Sequence, residues 1–157
     1  MQVTLLCIGK TNLLGVGDLI AEYEKRLSRF CSFSVQVLPD VKNPNALTKE
    51  QLMKKEGELF LDKIKPHDVL ILLDENGSEY SSSQFATKLN DWLQLGSGKC
   101  VFVIGGAYGF DLELKRRSNF TLSLSKMTFN HQMVRAIFIE QLYRGFAILK
   151  GLPYHHA

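Results

Sequence analysis

The chain has 157 residues, of which 45% are hydrophobic and 22% charged. These are the proportions and the length of one globular domain, and they exclude a disordered tail protein, a collagen-like repeat and a small disulfide scaffold. No apolar run approaches the roughly 20 residues of a bilayer span, so an integral membrane protein is excluded as well. The three cysteines, Cys7, Cys31 and Cys100, form no CxxC pair. Buried thiols are expected of them, rather than disulfides or a metal site. The first ten residues lack a basic n-region and a long apolar h-region. No secretory signal is expected there, and a cytoplasmic location is. The formal charge of +3 is unevenly spread: residues 1–110 carry 12 Lys/Arg against 13 Asp/Glu, and residues 111–157 carry 7 against 3. The basic excess in the last third reads either as a place for an anionic partner such as RNA or as a solvated face.

Short β-branched apolar runs over 3–8, 33–38, 69–73 and 101–104 predict strands. Between them lie segments of helical period. Leu19, Ile20, Tyr23 and Leu27 follow Asp18; Leu52, Leu59, Phe60 and Ile64 punctuate 48–64; Phe85, Leu89, Trp92 and Leu93 follow the capping serines Ser81, Ser82 and Ser83. Strand and helix alternate, and parallel strands need helical crossovers. The expectation is therefore an α/β single domain with an open, mostly parallel sheet and helices on both faces.

After residue 104 the rhythm changes. Residues 105–109 read Gly-Gly-Ala-Tyr-Gly, a loop at the carboxyl end of a buried strand, where open α/β sheets place ligands. A short basic segment follows (Lys115, Arg116, Arg117), then a strand-like run over 120–124 and a second loop over 125–130. A long helix is expected over about 131–150, with Val134, Ile137, Phe138, Leu142, Phe146 and Leu149 on its apolar stripe. Gly151 ends it and Pro153 prevents its resumption. Asp74 and Glu75 read as a strand exit before an Asn76-Gly77 turn.

Several motifs are absent. Gly9-Lys10-Thr11 lacks the upstream glycine of a phosphate-binding loop, the 105–109 loop lacks the dinucleotide glycine at 104, and no GxSxG or HExxH occurs. His131 and Arg135 share a helix face four residues apart; His131 reads equally as a capping or packing residue and as one facing a ligand. Glu140 and Arg144 read first as a helix ion pair.

Four features in order carry a resemblance: Ile104-Gly105-Gly106 after a strand, LSLSKMTFNHQMVR over 122–135, its continuation EQLYR over 140–144, and the terminal Pro153-Tyr154-His155-His156. Ala21-Glu22-Tyr23, Lys55-Glu56-Gly57 and Leu73-Asp74 agree with them. Together they resemble the RlmH (YbeA-like) family of the SPOUT superfamily, methyltransferases acting on a pseudouridine of 23S rRNA. The resemblance implies a C-terminal trefoil knot, an exception to unknotted topology, within 69–157. It also implies S-adenosylmethionine held by three loops that map here onto Leu73, onto Gly105, and onto Leu124, Ser125, Lys126, Met127, Thr128 and Phe129.

A homodimer is implied too, with a substrate site shared between subunits, and 23S rRNA in the assembled ribosome as partner. Methylation at N3 of pseudouridine requires the imino proton to leave. His155 and Tyr154 are the candidates for accepting it, with Arg135 as a further catalytic candidate and Arg144 and His131 for RNA contacts. Family members often carry proline before the histidine that opens the last helix; here that position is Asn130, a good N-cap. The alternatives are a SPOUT methyltransferase acting on tRNA or on a ribose 2′-hydroxyl, and a non-catalytic RNA-binding or ribosome assembly factor.

Overall fold

The structure is a computed structural model describing residues 1–156; Ala157 lies outside the described residues. Five strands form, β1 (Gln2–Ile8), β2 (Ser32–Leu38), β3 (Val69–Glu79), β4 (Cys100–Ile104) and β5 (Phe120–Ser123). Five helices join and follow them, α1 (Val16–Leu27), α2 (Lys49–Leu61), α3 (Ser82–Leu95), α4 (Leu112–Arg117) and α5 (Met133–Leu149). All neighbouring strands run parallel, in the order β2-β1-β4-β3-β5.

Strand alternation divides the core in two. Val3, Leu5 and Cys7 of β1, Val69 and Ile71 of β3, and Cys100, Phe102 and Ile104 of β4 face one side, where α1, α3 and α5 cover them. The intervening Leu6, Ile8, Leu70, Leu72, Val101 and Val103 face the other side, against Phe60 of α2 and Leu114 of α4. A strand buried on both faces has no use for polar alternation, which is why these runs read as continuously apolar.

Local chemistry sets the helix ends. Thr48 with Gln51 and Ser81 with Gln84 form reciprocal capping boxes at α2 and α3. Asn130 Oδ1 accepts from the main-chain N–H of Gln132 (2.9 Å) and Met133 (3.3 Å), so the cap expected before the last helix is in place although the regular helix begins at Met133. Gly151, in the left-handed region at φ 66°, closes the other end.

Two expectations are corrected. β3 does not stop at residue 73. Leu122 of β5 pairs with both Leu73 and Ser78, so residues 74–77 are an excursion and the strand resumes. An Asx turn, Asp74 Oδ1 accepting from Asn76 N at 2.9 Å, shapes the excursion. Gly77 then lies so close to β5 that a Cβ would come within 2.8 Å of the Thr121 backbone. On α5, Leu149 is exposed, and the stripe turned to the core is Phe138, Ile139, Leu142 and Phe146. Phe138, Ile139 and Phe146 are buried by α1, α3 and the sheet.

Candidate active site

The carboxyl ends of β3, β4 and β5 open onto a cleft of about 550 Å³. Three loops build it. Leu73 and the 74–76 excursion form one wall, residues 105–110 a second, and Leu124, Ser125, Met127, Thr128 and Phe129 a third. His131 and Val134, from the start of α5, close the side. The arrangement follows from the parallel sheet, whose strands all end on this edge and leave a crevice where their loops diverge. The volume is that of a cofactor pocket, and its lining mixes apolar side chains with exposed loop backbone.

Seven of the eight residues expected to bind cofactor line this cleft: Leu73, Gly105, Leu124, Ser125, Met127, Thr128 and Phe129. Lys126 does not; its side chain points into solvent and its Nζ lies 3.9 Å from Glu79 Oε1. Gly105 also has a packing reason to lack a side chain. A Cβ there would lie 2.9 Å from the Phe110 ring, so the missing side chain makes room for Phe110 beneath the loop. Gly106 is similar: a Cβ would meet the Glu56 carboxylate from α2. Glu56 is buried, and that burial, with Asp40 nearby, raises its pKa above the ordinary carboxylate range. Asp74, Glu75, Tyr108 and Lys115, all cleft-lining, had no place in the sequence-based site. The only signal for them was position, since each follows a strand end or sits in a loop already implicated.

His131 also borders a second opening, about 560 Å³, between the loop after β1 and the start of α5, beside Lys10 and Asp40. It is exposed in both directions, which leaves it available to a ligand.

Arg135 is a correction. It is 1% exposed and faces inward. Nη1 donates to Gly9 O and Thr11 Oγ1, both at 2.8 Å, and Nη2 donates to Ile8 O at 2.6 Å. One helix turn before it, Gln132 Oε1 accepts from Asn12 N (2.8 Å) and Leu13 N (2.7 Å). The two residues tie the loop after β1 to α5. A guanidinium enclosed in this way reaches neither the cleft nor an external RNA.

The remaining candidates gather elsewhere. Tyr154 donates to Glu140 Oε1 at 3.0 Å and shares a 2.9 Å hydrogen bond with the Tyr23 hydroxyl. Arg144 donates to the same carboxylate oxygen through Nε (3.1 Å) and Nη2 (2.6 Å), confirming the ion pair read from the sequence. Its Nη1 lies 3.2 Å from His155 Nδ1. A guanidinium can only donate, so Nδ1 accepts and the imidazole proton sits on Nε2. Burial, with hydrogen bonds to Tyr23 and Glu140, pushes the Tyr154 phenol well above its usual range. In this arrangement its hydroxyl is engaged as a donor to Glu140.

None of Arg144, Tyr154 and His155 lines the cleft. His131, just before α5, and Arg144, within it, lie roughly 20 Å apart along the helix direction. Within one chain the structure therefore brings the loop residues together and leaves the tail cluster at the far end of the helix. Among the described residues there is no group of three or more His, Cys, Asp or Glu able to hold a metal ion, and no helix long and apolar enough to cross a membrane.

Comparison with known proteins bears on this site. A family described as "Predicted SPOUT methyltransferase" matches residues 1–155. Proteins named ribosomal RNA large subunit methyltransferase H are similar along the whole length. The one from Flavobacterium psychrophilum is 50% identical, that from Flavobacterium johnsoniae 49% and that from Parabacteroides distasonis 46%, each comparison covering 99% of both chains. A match of this extent, on a parallel sheet whose strand-end loops enclose a cofactor-sized cleft, places the chain in the SPOUT methyltransferase family, within the group of large-subunit rRNA methyltransferases H.

Proposed function

We propose that the chain transfers methyl from S-adenosylmethionine to N3 of a pseudouridine in 23S rRNA on the assembled ribosome. It acts as a homodimer in the cytoplasm, with residues 1–157 forming a single domain whose C-terminal part, mainly 69–157, threads as a knot. The observation that carries the reading is the full-length likeness to proteins named ribosomal RNA large subunit methyltransferase H. The cleft fits the cofactor in chemistry as well as size. Leu73, Leu124 and Met127 supply apolar walls for a purine, loop backbone supplies donors and acceptors for its edge, and the Asp74 and Glu75 carboxylates at the lip suit an ammonium. Bound there, S-adenosylmethionine supplies the methyl group.

The target ring carries imino protons at both N1 and N3, and methylation at N3 requires the N3 proton to leave. The groups suited to help, Arg144 and His155, stand away from the cleft of their own chain. A two-fold dimer resolves this by bringing the tail of a second subunit to the cleft of the first. Arg144 then offers its cation to the oxygens beside N3, where negative charge grows. His155 accepts the proton at the Nδ1 that Arg144 faces in the free chain. Tyr154 positions both by holding Glu140, and His131 at the cleft wall contacts RNA.

The test is transfer of labelled methyl to intact ribosomes, isolated large subunits and naked rRNA, each with and without pseudouridines, followed by mass spectrometry of the digested nucleosides. N3-methylpseudouridine on pseudouridylated particles alone is the expected product. Methylated tRNA or a 2′-O-methyl product would replace the target, and RNA binding without cofactor binding would replace catalysis with an assembly role.

A further inference from the structure

Tyr108 stands at the tip of the 105–109 loop, which is closed by a bridge between Gly106 and Gly109 and by Gly109 N donating to Gly106 O at 3.3 Å. The base of the loop cannot sink, because the Phe110 ring and the Glu56 carboxylate fill the space under Gly105 and Gly106. The ring is therefore presented outward at the lip of the cleft, 51% exposed. Lys49, in the first turn of α2, holds its Nζ 5.2 Å from the ring centroid. Lys115, from α4, lines the same lip. A cation covers at most one face of a ring, so the other remains open.

A half-exposed aromatic ring with one lysine against it and a second on the same lip has the composition of a surface for an unstacked nucleotide: the ring takes the base and the ammonium groups take its phosphates. We propose that Tyr108 is a stacking platform for a base of the RNA substrate splayed out at the mouth of the cleft, with Lys49 and Lys115 on the adjoining phosphates. The proposal rests on the reading of the chain as an RNA methyltransferase. The cations select RNA over the adenine of the cofactor as the source of the base. S-adenosylmethionine carries no phosphate, so Lys49 over the ring and Lys115 elsewhere on the lip find their anionic partners in RNA. Lys49 also belongs to α2, which contributes nothing to the apolar walls of the cleft.

The experiment compares the full-length protein with Tyr108→Ala, Tyr108→Phe and Lys49→Met, by filter binding of large ribosomal subunits and by calorimetric titration with S-adenosylmethionine. Stacking on one ring predicts that Tyr108→Ala weakens ribosomal binding roughly 5-fold or more, with Tyr108→Phe within about twofold of the unmodified protein. Cofactor affinity and thermal midpoint stay unchanged in both. Lys49→Met lowers the salt dependence of binding by about one unit of slope. Unchanged ribosomal binding in Tyr108→Ala overturns the proposal. So does a parallel loss of cofactor affinity, which would put the ring over the adenine. Because binding needs no turnover, a Tyr108-dependent complex that transfers no methyl would refute the activity and keep the platform.

Discussion

Replacing Arg135 with methionine tests whether this side chain is a structural clamp. The substitution keeps most of the apolar stem and removes the charge and three hydrogen bonds, to Ile8 O, Gly9 O and Thr11 Oγ1. Hydrogen bonds from a charged donor contribute about 1.5–3 kcal/mol each, so their gross loss is about 4–9 kcal/mol. The guanidinium has no carboxylate partner among the described residues, and its Nε finds no acceptor there. Its burial therefore already costs several kcal/mol, which methionine would recover. The net loss expected is about 2–4 kcal/mol, a large share of the roughly 5–15 kcal/mol that holds a domain together. For a chain of this size that lowers the melting midpoint by roughly 4–16 °C, measurable by circular dichroism. Hydrogen exchange adds a local readout, since the Asn12 and Leu13 amides held by Gln132 should lose protection first. Arg135→Lys should be no better than methionine, because a point charge cannot span three acceptors set at an angle. A methionine variant within about 1 kcal/mol of the unmodified protein would refute the clamp and reopen Arg135 as a functional group.

Three further outcomes are expected. Glu56 has a raised pKa in the folded chain, so folding takes up protons there: its contribution to stability is fully present below its unfolded value and is lost as pH rises through the folded one. Glu56→Gln should therefore be more stable than the unmodified protein at neutral pH, with the gap closing toward pH 4.5 and below; equal pH profiles from denaturant titrations would show that the carboxylate is not buried under the loop. The thiols should be inert. Burial raises Cys31 to about 11 and Cys100 to about 12, and raises Cys7 as well, so at pH 8 the thiolate fraction of Cys31 is roughly 0.1%. Ellman's reagent should react with all three thiols in denaturant and with none quickly in the native protein, and a fast native phase would contradict this. His155→Ala should cut methyl transfer at least about tenfold, within the ordinary range for a lost acid–base group, while leaving S-adenosylmethionine affinity intact; unchanged turnover would remove His155 as the proton acceptor.

Local information reached far along this chain. The runs at 3–8, 69–73 and 101–104 announced buried parallel strands because residues covered on both faces need to be apolar whatever they touch. Ser81, Asn130 and Gly151 announced helix ends because a cap is satisfied within three or four residues. The loop at 105–109 was legible as a site because ligands gather where parallel strands end, and 124–129 joined it through the family resemblance. Long-range geometry decided the rest. That β5 lies outside β3, and that β3 resumes at Ser78 after its excursion, depends on pairing with Leu122 more than forty residues away. Arg135 looked like a catalytic cation because its sequence neighbours say nothing of the carbonyls at the end of β1, over 120 residues distant, that enclose it. Tyr154 and His155 were named from the terminal motif as proton acceptors, and only the packing of α1 against α5 shows the Tyr23, Glu140 and Arg144 groups that hold them. Periodicity records whether a residue is buried; which polar groups meet there is settled by the path of the chain in three dimensions.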